Sequence, residues 1–263
     1  MRDLFLLEFR TFLDNSKICY SQEENLFVIN NGHFVVKLVS FEDYKNYSKC
    51  SHFNEKVIFI HLDRWLSKRD IVKSMILVKV GKFESVFARS CRIERVDKTI
   101  AKKFHHENHL IGEADSKFNY ALIRESDKKP VSVSSFSSSR FMRRDDKSVL
   151  SYEWVRHTSL KGIRVVGGMS KVLDHFIKDI SPGEIMTYCD ADWSDGASYQ
   201  KLGFETYSTP VESEFYIDKF TFERISLKKI RREFESLSPD ILSDKFIYLR
   251  TQGNYKLLRR ISF

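Results

Sequence analysis

Apolar residues recur along this chain in two rhythms, and each change of rhythm marks a new element. The opening MRDLFLLEFRTFLD is apolar but interrupted by Glu8 and Arg10, which suits a core helix or strand and not a signal peptide. NLFVINNGHFVVKLVS holds two β-rich runs around Asn30-Asn31-Gly32, a hairpin signal. KVIFIHL is short and continuous, as a buried strand is. In SKRDIVKSMILVKVG, Ile71, Met75 and Val78 share a helical face, Ser67 can cap it and Gly81 stops it.

SVFARSCRIERV returns to strand character. KTIAKKFHHENHLIG predicts a helix ending near Gly112, with Ile100, Ala101 and Phe104 as its apolar stripe and His105 and His106 at its surface. FNYALIRESDKKPVSVSSF predicts two strands about a charged turn at 126–129, RFMRRDDKSV a polar loop, and LSYEWVRHTSL a strand. After VVGGMSK, the positions Val172, Leu173, Phe176, Ile177 and Ile180 keep helical spacing until Ser181-Pro182-Gly183 ends it. EIMTYCD is a strand, GASYQKLG a short helix closed by Gly203, and FETYST and SEFYIDKF are strands. ERISLKKIRREF is a basic amphipathic helix, and FIYLRTQGNYKLLRR predicts a hairpin turning at Gly253-Asn254.

Composition limits what such a chain can be. With 42% hydrophobic residues, 4 Pro and 10 Gly in 263 residues, it is globular and carries no long disordered region. No apolar run approaches a membrane span, so no membrane partner is expected. The four cysteines have no zinc-pair spacing, and without a secretory segment a reduced, cytoplasmic chain is the expectation. Forty-four basic against 36 acidic residues leave a net charge of +8, which fits an anionic partner and equally a solubilising surface.

The candidate chemistry centres on VVGGMSK. A Gly-Gly step into a helix is either an ordinary turn or a loop whose free amides hold an anion. Arg164 can add a bidentate contact. The order strand, RVVGG, helix, strand, short helix, GF, strand resembles the Gcn5-related N-acetyltransferase superfamily. That resemblance implies an α/β (α+β) fold with an acetyltransferase-like mixed sheet, and acetyl-coenzyme A or another acyl donor. It implies a pyrophosphate cradle at Arg164, Val166, Gly167, Gly168, Met169 and Ser170, and Tyr199 near the thioester sulfur. Met169 stands where the family usually has a small residue.

Longer stretches resemble a group of phage-encoded proteins: IHLDRWLSKRDIVKS, FARSCRIE, KKFHHENHLIG, VVGGMSKVLDHFIKD, TYCDADWSDGASYQKLGF and IYLRTQGNYKLL. In that group a very-short-patch-repair-like endonuclease domain precedes an acetyltransferase-like domain similar to the Mom-type proteins that modify adenine in phage DNA. The resemblance implies a nuclease-like domain over residues 1–90 and a Mom-like domain over 91–263, in a phage-infected or prophage-bearing bacterial cell. The nuclease pattern needs an Asp near Leu26 or Phe27 and a Glu near Lys37, and neither side chain present can ligate a divalent metal, so this domain reads as degenerate.

Within the second domain the resemblance puts Asn108 and His109 on the acceptor side of the cleft. His109 suits removal of an amine proton, or else caps its helix. Asp190, at a strand end, can orient His109 or accept a proton itself. His105 and His109 are one helical turn apart, but no third ligand accompanies them and no metal is expected. Arg140, Arg143 and Arg144 form a basic loop, partly neutralised by Asp145 and Asp146. Lys228, Lys229, Arg231, Arg232, Arg259 and Arg260 make the later part of the chain the most basic; both sets are candidate contacts to a DNA backbone, or solvated faces. Three functions follow: acyl transfer to an amine on nucleic acid, acyl transfer to a small molecule or protein, or an inactive nucleic-acid- or protein-binding module.

Overall fold

The computed structural model describes residues 1–30, 33–44, 57–144, 147–234 and 239–261; Asn31 and Gly32 of the expected hairpin turn, and Asp145 and Asp146, lie outside the described residues. Along the chain run α1 (Arg2–Asn15), β1 (Tyr20–Glu23), β2 (Leu26–Ile29), β3 (Phe34–Val39), β4 (Val57–His61), α2 (Leu62–Lys79), β5 (Glu84–Phe87), β6 (Cys91–Arg95), α3 (Lys98–Asn108), β7 (Phe118–Arg124), β8 (Pro130–Phe136), β9 (Arg140–Arg144), β10 (Lys147–Ser159) and β11 (Ile163–Val166). There follow α4 (Gly168–Ile180), β12 (Glu184–Asp190), α5 (Ala197–Gln200), β13 (Glu205–Ser208), β14 (Ser213–Asp218), β15 (Arg224–Ser226), α6 (Leu227–Phe234), α7 (Pro239–Lys245), β16 (Phe246–Thr251) and β17 (Asn254–Arg260). No described helix is long and apolar enough to cross a membrane.

The elements gather into two compact units, each discontinuous in sequence. The first holds Met1–Val72, Asp190–Asp195 and Pro210–Asn254; the second holds Lys73–Cys189, Gly196–Thr209 and Tyr255–Phe263. In this grouping the turn after β12 and the segment between β13 and β17 fall with the early strands.

In the first unit, β1, β2 and β3 form an antiparallel meander and β4 adds parallel to β3. Leu26 pairs in register with Lys37. Helix α1 buries Phe5, Phe9, Phe12 and Leu13; Phe9 meets Phe27 edge-on at 4.9 Å and Trp65 at 5.6 Å. A second sheet, in the order β15-β14-β16, contributes Ile217 and Leu249 to a core with Val39, Tyr44 and Phe59. Ser67 does not cap α2, which begins at Leu62. Its hydroxyl donates back to the Asp63 carbonyl at 2.8 Å, one residue before non-helical Lys68 (φ −138°), as back-bonding serines do where helices bend.

A buried ion cluster ties this unit together. Arg224 donates two bonds to Asp63, at 2.6 and 3.0 Å, and the Tyr44 hydroxyl donates a third at 2.8 Å. Burial alone would raise the Asp63 carboxyl; the charge and hydrogen bonds of Arg224, with His61 and Arg64 adding, hold it at about 2. His61 and Asp192 pair at 3.1 Å, while the Asp192 amide donates to Asp190 at 2.9 Å. Burial and the Asp192 charge push Asp190 up to about 6.

The second unit is built on a sheet in the order β13-β17-β12-β10-β8-β7-β6, with β9 pairing β10. It is the mixed α/β sheet the sequence predicts. Successive β7 residues face opposite sides. Ala121 and Ile123 meet Ala101 and Phe104 of α3, and Tyr120 and Leu122 meet Val172, Leu173 and Phe176 of α4, so a helix covers each face. Phe136 stacks on Phe176 with ring centres 3.8 Å apart and on Trp154 at 5.4 Å. Two expectations change. RFMRRDDKSV is no loop, since Arg140–Arg144 pairs in register with Lys147–Ser151. FIYLRTQGNYKLLRR is no hairpin, since β16 pairs β14 whereas β17 pairs β13. Gly253 (φ +80°) redirects the chain, and a Cβ there would lie 1.8 Å from the Val211 carbonyl oxygen.

Arg224→Met strands the buried Asp63 charge, so urea unfolding should show a loss of about 3–5 kcal/mol. Adding Asp63→Leu to that variant should restore part of the loss, because no lone charge is then buried.

Candidate functional site

Strands β10 and β12 run parallel but pair at only four positions, from Ser151 opposite Glu184 to Trp154 opposite Thr187. The Thr187 hydroxyl closes the last rung by donating to the Trp154 carbonyl at 3.0 Å. Past that rung the β10–β12 pairing stops. On its other edge β10 carries a bulge: Trp154 opposes Phe136 and Arg156 opposes Ser135, with Val155 left over. A bulge bends its strand and tightens its twist.

The loop into α4 lies in the same unit. β11 ends at Val166, Gly167 takes the left-handed conformation (φ 76°) at the N-cap, and no side chain caps the helix. A Cβ on Gly168 would fall 2.9 Å from Val165 Cγ1 and 3.2 Å from Leu122 Cδ1, so glycine is required there by packing. The first-turn amides of such a helix lack intrahelical partners and carry positive potential. Met169, where the family usually has a small residue, is half-buried and packs against the hydrophobic core. Ser170 and Val166 are exposed; the Ser170 hydroxyl is 3.4 Å from Asp174. Arg164 is exposed with its guanidinium 5.5 Å from the centre of the Phe83 ring.

Tyr199 of α5 meets Trp154 edge-on at 5.6 Å and hydrogen-bonds Thr187; burial pushes its hydroxyl up to about 12. Trp154 Nε1 is buried and has no hydrogen-bond partner among the described residues. His157 Nδ1 lies 2.7 Å from the Ser134 hydroxyl, and its ring meets Trp154 at 5.6 Å. Burial and the nearby His105 charge lower its pKa to about 4.

His105, expected at the surface, is 1% exposed. It falls on the buried stripe Ala101, Phe104, His105 and Asn108. Its Nε2 lies 2.8 Å from the Ser135 hydroxyl and its Nδ1 2.7 Å from the Thr158 hydroxyl. Ser135 donates to Asn119 Oδ1 at 2.6 Å, so its oxygen accepts Nε2–H and Thr158 must donate to Nδ1. Burial, with Arg156 adding, lowers the His105 pKa to about 4. Both its nitrogens are engaged by hydroxyls, which leaves none for a metal shared with His109. Among the described residues no group of three or more His, Cys, Asp or Glu can hold a metal ion.

The remaining candidates disperse. His109 is the residue after α3; its Nδ1 accepts the Ile111 amide at 3.1 Å. The Asn108 side chain donates to the Phe104 carbonyl at 2.9 Å and accepts the Lys161 amide at 3.1 Å. Asp190 belongs to the ion cluster of the first unit, whereas His109 belongs to the second. Arg140 and Arg143 are exposed on β9, but Arg144 is committed to buried Glu184 through bonds of 2.9 and 2.7 Å. Lys228, Lys229, Arg231 and Arg232 are exposed on α6, with Glu233 drawing on two of them; Arg260 is exposed and Arg259 half-buried.

Compared by sequence, the chain matches no protein-family model and no curated protein. By structure it is similar to part of a NatC complex bound to Gag peptide and coenzyme A (10% identity, 66% of this chain and 99% of that one, TM-score 0.38). It is also similar to a Bacillus subtilis acetyltransferase in complex with coenzyme A (13%, 65% and 99%, TM-score 0.36). A third is a histone acetyltransferase HPA2 and related acetyltransferase from Corynebacterium glutamicum (15%, 74% and 93%, TM-score 0.33).

His105 and His157 both have folded pKa values near 4, below the ordinary 6.5. Between those values the unfolded chain binds protons that the fold refuses. Stability is therefore complete above about pH 6.5 and falls as pH drops toward 4, on the order of 1–3 kcal/mol per histidine. Urea titrations at neutral and acidic pH should show this loss, and His105→Gln should remove about half of its slope.

Proposed function

We propose that the protein is an N-acyltransferase that takes its acyl group from acetyl-coenzyme A or a related thioester and gives it to an amine. The observation that carries this reading is the end of the β10–β12 pairing beside the Val155 bulge, in one unit with the uncapped, glycine-led start of α4. A pantetheine arm is an extended chain with amide groups, and backbone donors and acceptors where a strand ladder stops suit it. The pyrophosphate suits the amides of Gly167, Gly168, Met169 and Ser170, with Val166 and Arg164 beside them. The orphan Trp154 indole N–H fits a carbonyl of the donor. Tyr199, protonated at neutral pH, can give its proton to the departing sulfur.

For the acceptor, the exposed cations Arg140, Arg143, Lys228, Lys229, Arg231, Arg232 and Arg260 favour an amine on nucleic acid, whose phosphates they can meet. A peptide or small-molecule amine is the rival. Leu26 faces Lys37 where a hydrolytic metal site needs carboxylates, which supports a binding role, not hydrolysis, for the first unit.

Calorimetry with coenzyme A tests the donor site. Gly167→Asn and Gly167→Asp both tolerate the left-handed backbone and differ by one charge. Asn should bind nearly as wild type does, and Asp roughly twofold to thirtyfold more weakly, the range for one charge at a helix N-terminus. Absence of binding heat in the wild type would reject the acyltransfer reading. For the acceptor, affinity for duplex DNA should fall steeply with salt, and Arg231→Glu with Arg232→Glu should flatten the log–log slope by about one unit per lost phosphate contact. An unchanged slope would remove α6 from the interface.

A further inference from the structure

Eight histidines occur in the chain, of which His52 lies outside the described residues. Those already placed are engaged: His105 through both nitrogens, His109 Nδ1 by the Ile111 amide, and His61 by Asp192 in the first unit. His33, His106 and His175 are exposed. His157 differs from all of these. It stands three residues past the last β10–β12 rung, half-buried, with Nδ1 fixed by Ser134 and Nε2 making no hydrogen bond to a described residue. Its ring and that of Tyr199 each meet Trp154 edge-on at 5.6 Å, so both lie against the side chain whose indole N–H has no partner among the described residues.

Resting on the acyltransfer reading above, we infer that His157 is the catalytic residue that takes the proton from the acceptor nitrogen, and that Ser134 is its positioning residue. The neutral amine attacks the thioester carbonyl carbon, forming the N–C bond and an oxyanion. The nitrogen now carries a positive charge and is more acidic than a free ammonium; Nε2 takes its proton as the oxyanion collapses, when the nitrogen becomes a strong acid. Collapse of the oxyanion breaks the C–S bond, and the sulfur leaves with the proton of Tyr199. His157 then loses its proton to solvent and Tyr199 regains one; the sum is amine plus thioester giving amide plus thiol. For this, Nδ1 must hold the resting proton and donate it to the Ser134 oxygen, leaving Nε2 as a lone pair. Burial helps by keeping the ring neutral well below neutral pH.

The test uses the full chain with acetyl-coenzyme A as donor. The acceptors are spermidine, a short peptide with a free N-terminus and a single-stranded adenine-rich oligonucleotide; released thiol is the readout. Coenzyme A calorimetry runs in parallel. His157→Gln should bind coenzyme A as wild type does, yet lose roughly 10²- to 10⁴-fold in turnover, the usual contribution of a general base. Ser134→Ala should lose less, and Ser134→Thr should recover it. Turnover by His157→Gln within about threefold of wild type would overturn the assignment. Failure of the wild type to bind coenzyme A instead rejects the acyltransfer reading itself. Should none of the three acceptors react, ¹⁵N spectra of histidine-labelled protein decide. A proton on Nδ1 in wild type, with a changed tautomer balance in Ser134→Ala, supports the inference; a proton on Nε2 overturns it.

Discussion

One surplus residue in β10, Val155, sets the geometry on which the site depends. In a regular strand, residues three apart point to opposite faces, so Trp154 and His157 would be separated by the sheet. The bulge absorbs one residue and restores them to a single face, where their rings meet. The same slip directs Arg156 and Thr158 toward α3, so that Thr158 reaches His105. Deleting Val155 would exchange the two sets at once, since a one-residue change of register inverts every later side chain.

The serine-rich strand β8 supplies the complementary half of this arrangement. Ser134 and Ser135 are adjacent and face opposite sides; one meets His157 and the other His105. Each imidazole thus gains a hydroxyl partner inside a packed sheet, where an unpaired polar ring would be costly. Small side chains matter as much as their hydroxyls, since the aromatic stack of Phe176, Phe136 and Trp154 fills the space beside them.

Much of this was legible in the sequence because its signals are local. The spacing of Val172, Leu173 and Phe176, the glycine pair before them and the stop at Ser181-Pro182-Gly183 fix α4 without reference to the rest of the fold. His105 was also legible in principle: Ala101, Phe104, His105 and Asn108 follow helical spacing, but a run of polar histidines hid the stripe's true centre. His157 lies in a strand whose alternation is broken by the bulge, so no periodic signal marks it. Asp63 and Arg224 are 161 residues apart, and nothing local connects them. The closing hairpin failed for the same reason. Two apolar runs about a glycine describe a turn but do not name the partner of either strand, and here each partner is distant.

The discontinuous units carry a consequence for how the chain comes to be folded. β17 is translated after every other strand of its sheet, yet in that sheet it lies between β13 and β12, which precede it in sequence. During synthesis the sheet must wait with an interior position unfilled and two strand edges open, the state most exposed to mispairing with another chain. The first unit waits too, because residues up to Asn254 belong to it. Both units therefore close at nearly the same moment, over contacts of long sequence separation. Folding should be slow relative to translation and cooperative at its end.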